Sequence, residues 1–159
     1  MSRMRKALPI ALLLACSGCG LTSSPADNLT FQPPSGWSAS PGIMGFMQFW
    51  KSPSSDSQVL MLFKSPKEID KKDVFSSAKL DEGDETRQTI NICGNQTAEY
   101  VTARATSTDE SKKKTESEVQ MVMTNTNGTT YLAMYVYPVG ARPDPQAAAA
   151  IRELCPKPQ

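Results

Sequence analysis

The chain contains no histidine. Histidine is the side chain that titrates nearest neutral pH and the commonest metal ligand, so its absence removes the usual acid–base and metal chemistry. An excess of charge of either sign is also missing. Lysine and arginine number 17 against 16 aspartates and glutamates, a formal +1. No basic patch or block accompanies that balance, which excludes nucleic acid as the expected partner. The apolar run from Leu8 to Ala15 is interrupted by Pro9 and falls far short of the ~20 residues a membrane-spanning helix needs. There is no G-x-S-x-G elbow, no glycine-rich nucleotide loop and no serine–lysine pair marked by its context. An enzyme is therefore not expected, and neither a cofactor nor a metal is implied.

What is present is most specific at the N-terminal side. Arg3, Arg5 and Lys6 precede the apolar run, and small residues follow it. That pattern reads as a cleavable export signal. The four residues Leu13-Leu14-Ala15-Cys16 resemble the lipobox of bacterial lipoproteins. In that family the cysteine thiol takes a diacylglyceryl group, cleavage falls just before it, and the new amino group is often acylated, palmitate being a typical chain. The resemblance implies a signal peptide over residues 1–15 and lipid attachment at Cys16. Cys16-Ser17-Gly18-Cys19 offers a second match, with cysteine where the family prefers leucine, so Cys19 is the reserve site. Two acyl chains anchor a protein stably where one does so marginally. The implied location is a bacterial membrane surface, the outer membrane where the source has one, because Ser17 replaces the aspartate that some bacteria read as a retention signal.

Removing residues 1–15 leaves 144 residues, with 14 basic against 16 acidic side chains, a formal −2. That length suits one domain. Cys16 and Cys19 fall in the small, polar stretch 16–28, which reads as a tether, and Cys93 and Cys155 fall in the domain, residues 29–159. An exported chain meets an oxidising compartment, so a Cys93–Cys155 disulfide is expected, with two separate buried thiols as the alternative.

Along the domain, Leu29-Thr30-Phe31 reads as a short strand and Pro33 to Gly36 as a turn. Strands are predicted over 46–51, 59–63, 89–92, 97–106, 118–124 and 130–137. In the fourth of these, Glu99, Val101 and Ala103 share one face and Tyr100 and Thr102 the other. Residues 107–117 read as a charge-rich loop, and Asn127-Gly128 as a two-residue hairpin turn. A helix to about Leu80 begins at Ser65-Pro66, or after Asp70 as its cap. A second is capped by Asp144 with Pro145 first, carries Ala147, Ile151 and Leu154 on one face, and ends at Cys155.

The segment Phe31-Gln32-Pro33-Pro34-Ser35-Gly36-Trp37 resembles the opening of the Mog1/PsbP-like superfamily, and the element order resembles it over about residues 29 to 155. The resemblance implies a single α+β domain, a curved antiparallel β-sheet packed with two helices. It implies no shared catalytic residues, since fold licenses little function.

Met44, Met47, Met61, Met121, Met123 and Met134 make the domain methionine-rich. Thioethers suit Cu(I), but these residues alternate with valine and leucine on strands and read as adaptable core filler. Met44, Phe46, Met47 and Trp50 follow Pro41-Gly42 and either begin the buried strand, as large apolar residues usually do, or form a candidate docking patch. Lys112, Lys113 and Lys114 sit among acids and read as a solvated hairpin tip. The expected role is a lipid-anchored envelope protein that binds a protein partner or assists assembly. The alternative is a carrier holding a small apolar ligand in a pocket lined by Met and Tyr.

Overall fold

The computed structural model describes residues 29–41, 48–77, 80–81 and 83–157. Residues 1–28, which hold Cys16 and Cys19, and residues 42–47, which hold Met44, Phe46 and Met47, lie outside the described residues.

The longest elements follow directly from alternation. β6 (Gln96–Thr108) and β7 (Lys114–Thr126) are 13 residues each, and β8 (Thr129–Pro138) adds ten. β4 (Val59–Ser65), β3 (Gln48–Lys51) and β2 (Ser38–Pro41) extend the sheet on one side, and β5 (Thr86–Ile92) closes it on the other. The order is β2-β3-β4-β8-β7-β6-β5, and each adjacent pair is antiparallel. Asn127 and Gly128 both take positive φ, 50° and 75°, as the expected two-residue turn between β7 and β8 demands. Glycine tolerates such a φ freely and asparagine better than most.

Registration separates the side chains onto two faces. One face carries Trp50, Leu60, Leu62, Tyr100, Val122, Tyr131, Ala133 and Tyr135, all buried. α2 (Pro145–Arg152) covers it with Ala147 and Ile151, and Leu154 follows, each 0 % exposed. The N-terminal segment adds Leu29, Phe31 and Trp37 to this core. The other face carries Val101, Val119, Met121, Met123, Leu132 and Met134, under Ile69, Val74 and Leu80. Met121, Met123 and Met134 thus alternate into a hydrophobic core, where an unbranched thioether fills irregular space.

Three readings are corrected, and the choice between two starts for the first helix is settled in favour of Asp70. Residues 107–117 are largely strand, because Thr108 pairs with Lys114 and only 109–113 turn the chain. Polar side chains on a two-stranded ladder that projects into water need no burial to alternate. α1 (Lys71–Ser77) begins after Asp70, whose carboxylate accepts the Lys72 N–H at 3.0 Å. Ser65 instead ends β4 and accepts the Lys67 N–H at 3.2 Å, a local turn bond. The segment between is pinned by buried Thr130, which accepts the Ile69 N–H at 3.0 Å and donates to Asn125 Oδ1 at 2.6 Å. α2 stops at Arg152, and Cys155–Pro156 form β9, which pairs with β1 (Leu29–Thr30). Proline ends the helix but is tolerated in so short an edge pairing. β2 had no alternating apolar signal and was not anticipated.

The described residues form a single α+β domain with a large antiparallel sheet and two helices. No helix among the described residues is long and apolar enough to cross a membrane.

Candidate functional site

Cys93 and Cys155 are bonded, with Cα atoms 5.3 Å apart across 62 residues of sequence. Cys93 sits in the β5–β6 turn with φ 51° and Gly94 with φ 79°. The bond ties that turn to β9, and β9 pairs with β1. The domain's first described residue, Leu29, therefore leaves from the end where β6 begins. The β6–β7 tip lies at the far end of a 13-residue strand, about 40 Å away. At that tip Asp109 accepts the Ser111 hydroxyl at 2.6 Å and the Lys113 N–H at 2.9 Å. These bonds hold its carboxyl below the usual aspartate range, the Ser111 hydroxyl first.

An open pocket of about 400 Å³ lies over the sheet face where β5, β6 and β7 run side by side. The registers Thr89↔Glu99 and Glu99↔Met123 place three of its lining side chains in one row across β5, β6 and β7. Thr97, Asn125 and Arg87 complete the same face of the strands. Arg87 is drawn back over its own sheet, 2.8 Å from Glu85 and 3.5 Å from Glu99. Met123 is 4 % exposed and supplies the apolar floor. The walls are hydroxyl and amide groups together with the Arg87–Glu99 ion pair. This is a surface for hydrogen bonding and side-chain docking.

The opposite face, which α2 covers, carries polar side-chain bonds. Tyr100 donates to Gln120 Oε1 at 3.1 Å, and Gln120 Nε2 donates to the Tyr137 hydroxyl at 3.3 Å. The Arg152 guanidinium lies 4.3 Å from the Tyr100 ring centroid. Tyr135 donates to Gln58 Oε1 and accepts the Asp144 N–H, both at 2.7 Å. Burial pushes the Tyr135 phenol above its ordinary range. The Arg152–Tyr100 contact and the Asp144–Tyr135 bond fasten α2 to the sheet.

The sequence candidates are thus separated. The disulfide pair is brought together. Trp50, read either as buried strand or as part of a docking patch, is 5 % exposed, which bears out the first. It faces Leu60 in the β3–β4 register, and its ring lies 5.1 Å from that of Phe31. The strand's alternation turns the indole inward, so the Trp50 side chain belongs to the core. Its companions Met44, Phe46 and Met47 are outside the described residues, as are the lipid-site candidates Cys16 and Cys19. Met121, Met134, Tyr131 and Tyr135 are each at most 3 % exposed and pack in the two cores. The pocket residues Arg87, Thr89, Thr97 and Asn125 were not singled out from sequence. Their signal is the polar strand Thr86–Ile92, whose composition suits a sheet edge.

No family profile matches the chain, and no curated protein matches it. A protein from Bacteroides thetaiotaomicron VPI-5482 is similar in structure, with a TM-score of 0.56 and 12 % identity. The match covers 86 % of this chain and 47 % of that protein, so the chain spans about half its length. That likeness concerns fold alone. LpqN of Mycobacterium tuberculosis, involved in cell envelope biogenesis, matches with a TM-score of 0.44 and 14 % identity over 82 % of this chain and 83 % of its own.

Proposed function

We propose that the protein is a lipid-anchored domain of the bacterial cell envelope, held through Cys16, that binds a protein partner and catalyses nothing itself. The supporting observation is how the cysteines divide. Cys93 and Cys155 are consumed by the fold, and a disulfide suits an oxidising compartment. Cys16 and Cys19 remain on the N-terminal side, where Leu13-Leu14-Ala15-Cys16 has the lipobox pattern. The Mog1/PsbP-like architecture is part of the proposal, supported by the antiparallel sheet with two helices. The lack of histidine supports a binding role over catalysis.

The test is to express the full chain in a bacterium and weigh its N-terminal peptide. The expected product starts at Cys16, carries diacylglyceryl and acyl mass, and sediments with membranes. Cys16→Ser abolishes all three. Loss with Cys19→Ser instead moves the anchor to the reserve site. An unlipidated N-terminus in wild-type protein sinks the anchor. Crosslinking in intact envelopes, compared with the Cys16→Ser form, tests the binding role, and no reproducible partner would reject it.

A further inference from the structure

The pocket over β5, β6 and β7 takes no part in the disulfide or in the α2 contacts. The cover of this sheet face, Ile69, Val74 and Leu80, packs on the apolar cluster and does not line the pocket. Beyond that cover the registers Glu99↔Met123 and Thr89↔Glu99 carry one row from a buried methionine to a carboxylate and then to a hydroxyl. Thr97 and Asn125 stand next to that row, toward the β5–β6 turn. The Glu99 side chain is 16 % exposed and that of Arg87 36 %. A charged pair withdrawn that far from water is often no more stabilising than apolar side chains of similar volume, so packing alone does not call for it. At about 400 Å³ the pocket is within the size range of small-ligand sites.

We propose that this pocket binds a neutral saccharide unit. Its charges decide against other ligands. An anion meets the carboxylates of Glu85 and Glu99, and a cation meets Arg87, which both of them hold. A wholly apolar ligand strips water from hydroxyls, an amide and an ion pair and returns no hydrogen bond. A sugar answers each group. Its hydroxyls both donate and accept, as do Thr89, Thr97 and Asn125. Neighbouring sugar hydroxyls match the paired oxygens of a carboxylate and the fork of a guanidinium, the groups that Glu99 and Arg87 carry. The C–H face of the ring lies on the Met123 floor. The site stands apart from the protein-binding role and does not depend on it. A soluble glycan and the headgroup of a glycolipid present the same chemistry, and the test separates them.

The purified full chain is titrated with maltotriose, cellotriose, chitotriose and mannotriose, and chemical shifts are read by NMR. The expected result is that one or more of them shifts the Thr89, Thr97 and Asn125 amides and the Met123 methyl together, with a dissociation constant of about 1 mM or below. Deacetylated chitotriose, which is cationic, binds more weakly than the best neutral sugar. Thr97→Val, at an exposed strand position, keeps the branched shape, removes the hydroxyl and weakens binding by about threefold or more. Glu99→Gln weakens it by about tenfold. In the second arm the Cys16→Ser form, which has no anchor of its own, is sedimented with phosphatidylcholine vesicles with and without digalactosyldiacylglycerol. Sedimentation that needs the glycolipid and is lost in Thr97→Val assigns the headgroup as the source. Trisaccharide binding without sedimentation assigns a soluble glycan. Four results overturn the site: no trisaccharide shift at about 10 mM and no sedimentation; shifts confined to other parts of the sheet; unchanged affinity in both Thr97→Val and Glu99→Gln; or tightest binding by deacetylated chitotriose.

Discussion

The Tyr135 hydroxyl accepts the backbone N–H of Asp144 at 2.7 Å, in the middle of the β8–α2 connection it helps to close. Asp144 in turn caps α2 by accepting the Gln146 N–H at 2.8 Å, and its other oxygen receives the Trp37 indole N–H at 3.4 Å. One phenol thus links the sheet, the helix start and the N-terminal segment. Tyr135→Phe keeps the ring but leaves the Asp144 N–H and Gln58 Oε1 without this partner. Urea unfolding should show a loss of about 1–3 kcal/mol.

The same residue carries an alkaline signature. Burial raises the folded pKa of Tyr135 above its ordinary value of 10.0, with the nearby Asp144 charge adding to it. The unfolded chain therefore loses this proton first. The stability is fully present below the unfolded pKa and falls as pH rises through the folded one. Wild type should lose more stability above pH 10.0 than Tyr135→Phe does. Equal slopes in pH-dependent urea titrations would show that Tyr135 contributes nothing to the alkaline limb.

Asp144→Ala removes the α2 cap and the partner of Trp37. A lost carboxylate cap costs about 1 kcal/mol. The Trp37 contribution to fluorescence should shift at the same time, because the indole N–H loses its acceptor. An unchanged unfolding midpoint would mean that the Tyr135 bond alone holds the helix start.

Reducing Cys93–Cys155, or replacing both cysteines by serine, frees a loop of 62 residues. The chain-entropy estimate for that length is about 4 kcal/mol. β1 and β9 should open first, since they are two residues each and join the domain at this bond. Thiol alkylation of unreduced, denatured protein checks the bond directly: Cys93 and Cys155 should resist it.

Met121 is 1 % exposed and faces Met134 across β7 and β8. Met121→Ala should cost about 2–5 kcal/mol, and Met121→Leu, which keeps the volume, less than about 1.5 kcal/mol. Similar costs for both would point to a role beyond filling space. Retention of about one equivalent of Cu(I) after dialysis would establish a metal role.

At the β6–β7 tip the Asp109 carboxylate should titrate below a free aspartate, the Ser111 hydroxyl being the largest cause. Its folded pKa is depressed, so the linked stability is present above the unfolded pKa and lost as pH falls through the folded one. In carboxyl-resolved NMR titrations, Ser111→Ala should raise the Asp109 pKa. No movement would assign the shift to the Lys113 N–H instead.

The strands β6, β7 and β8 were legible because each alternates over many residues, and alternation is read one residue at a time. Glu99, Val101 and Ala103 do share a face, and so do Val119, Met121 and Met123. Short elements were less legible. Leu29-Thr30 was read as a strand, but β2, of four residues, and β9, of two, were not, and β9 exists only by pairing with β1 at the other end of the domain. Trp50 illustrates the same limit: a large apolar residue can serve a core or a surface, and the register against Leu60 settles which.

The sequence by itself determined the chemistry available: no histidine, four cysteines, a lipobox-like tetrapeptide, and the alternation that commits the chain to antiparallel strands. These depend on composition and near neighbours. Tertiary structure brings Cys93 to Cys155 as the cysteine count led one to expect, and it alone decided that the Trp50 side chain faces the core and that Thr86–Ile92 ends the sheet. The physical reason is that an edge is a relation between strands far apart in sequence. A polar strand looks the same along the chain whether or not another strand lies beside it.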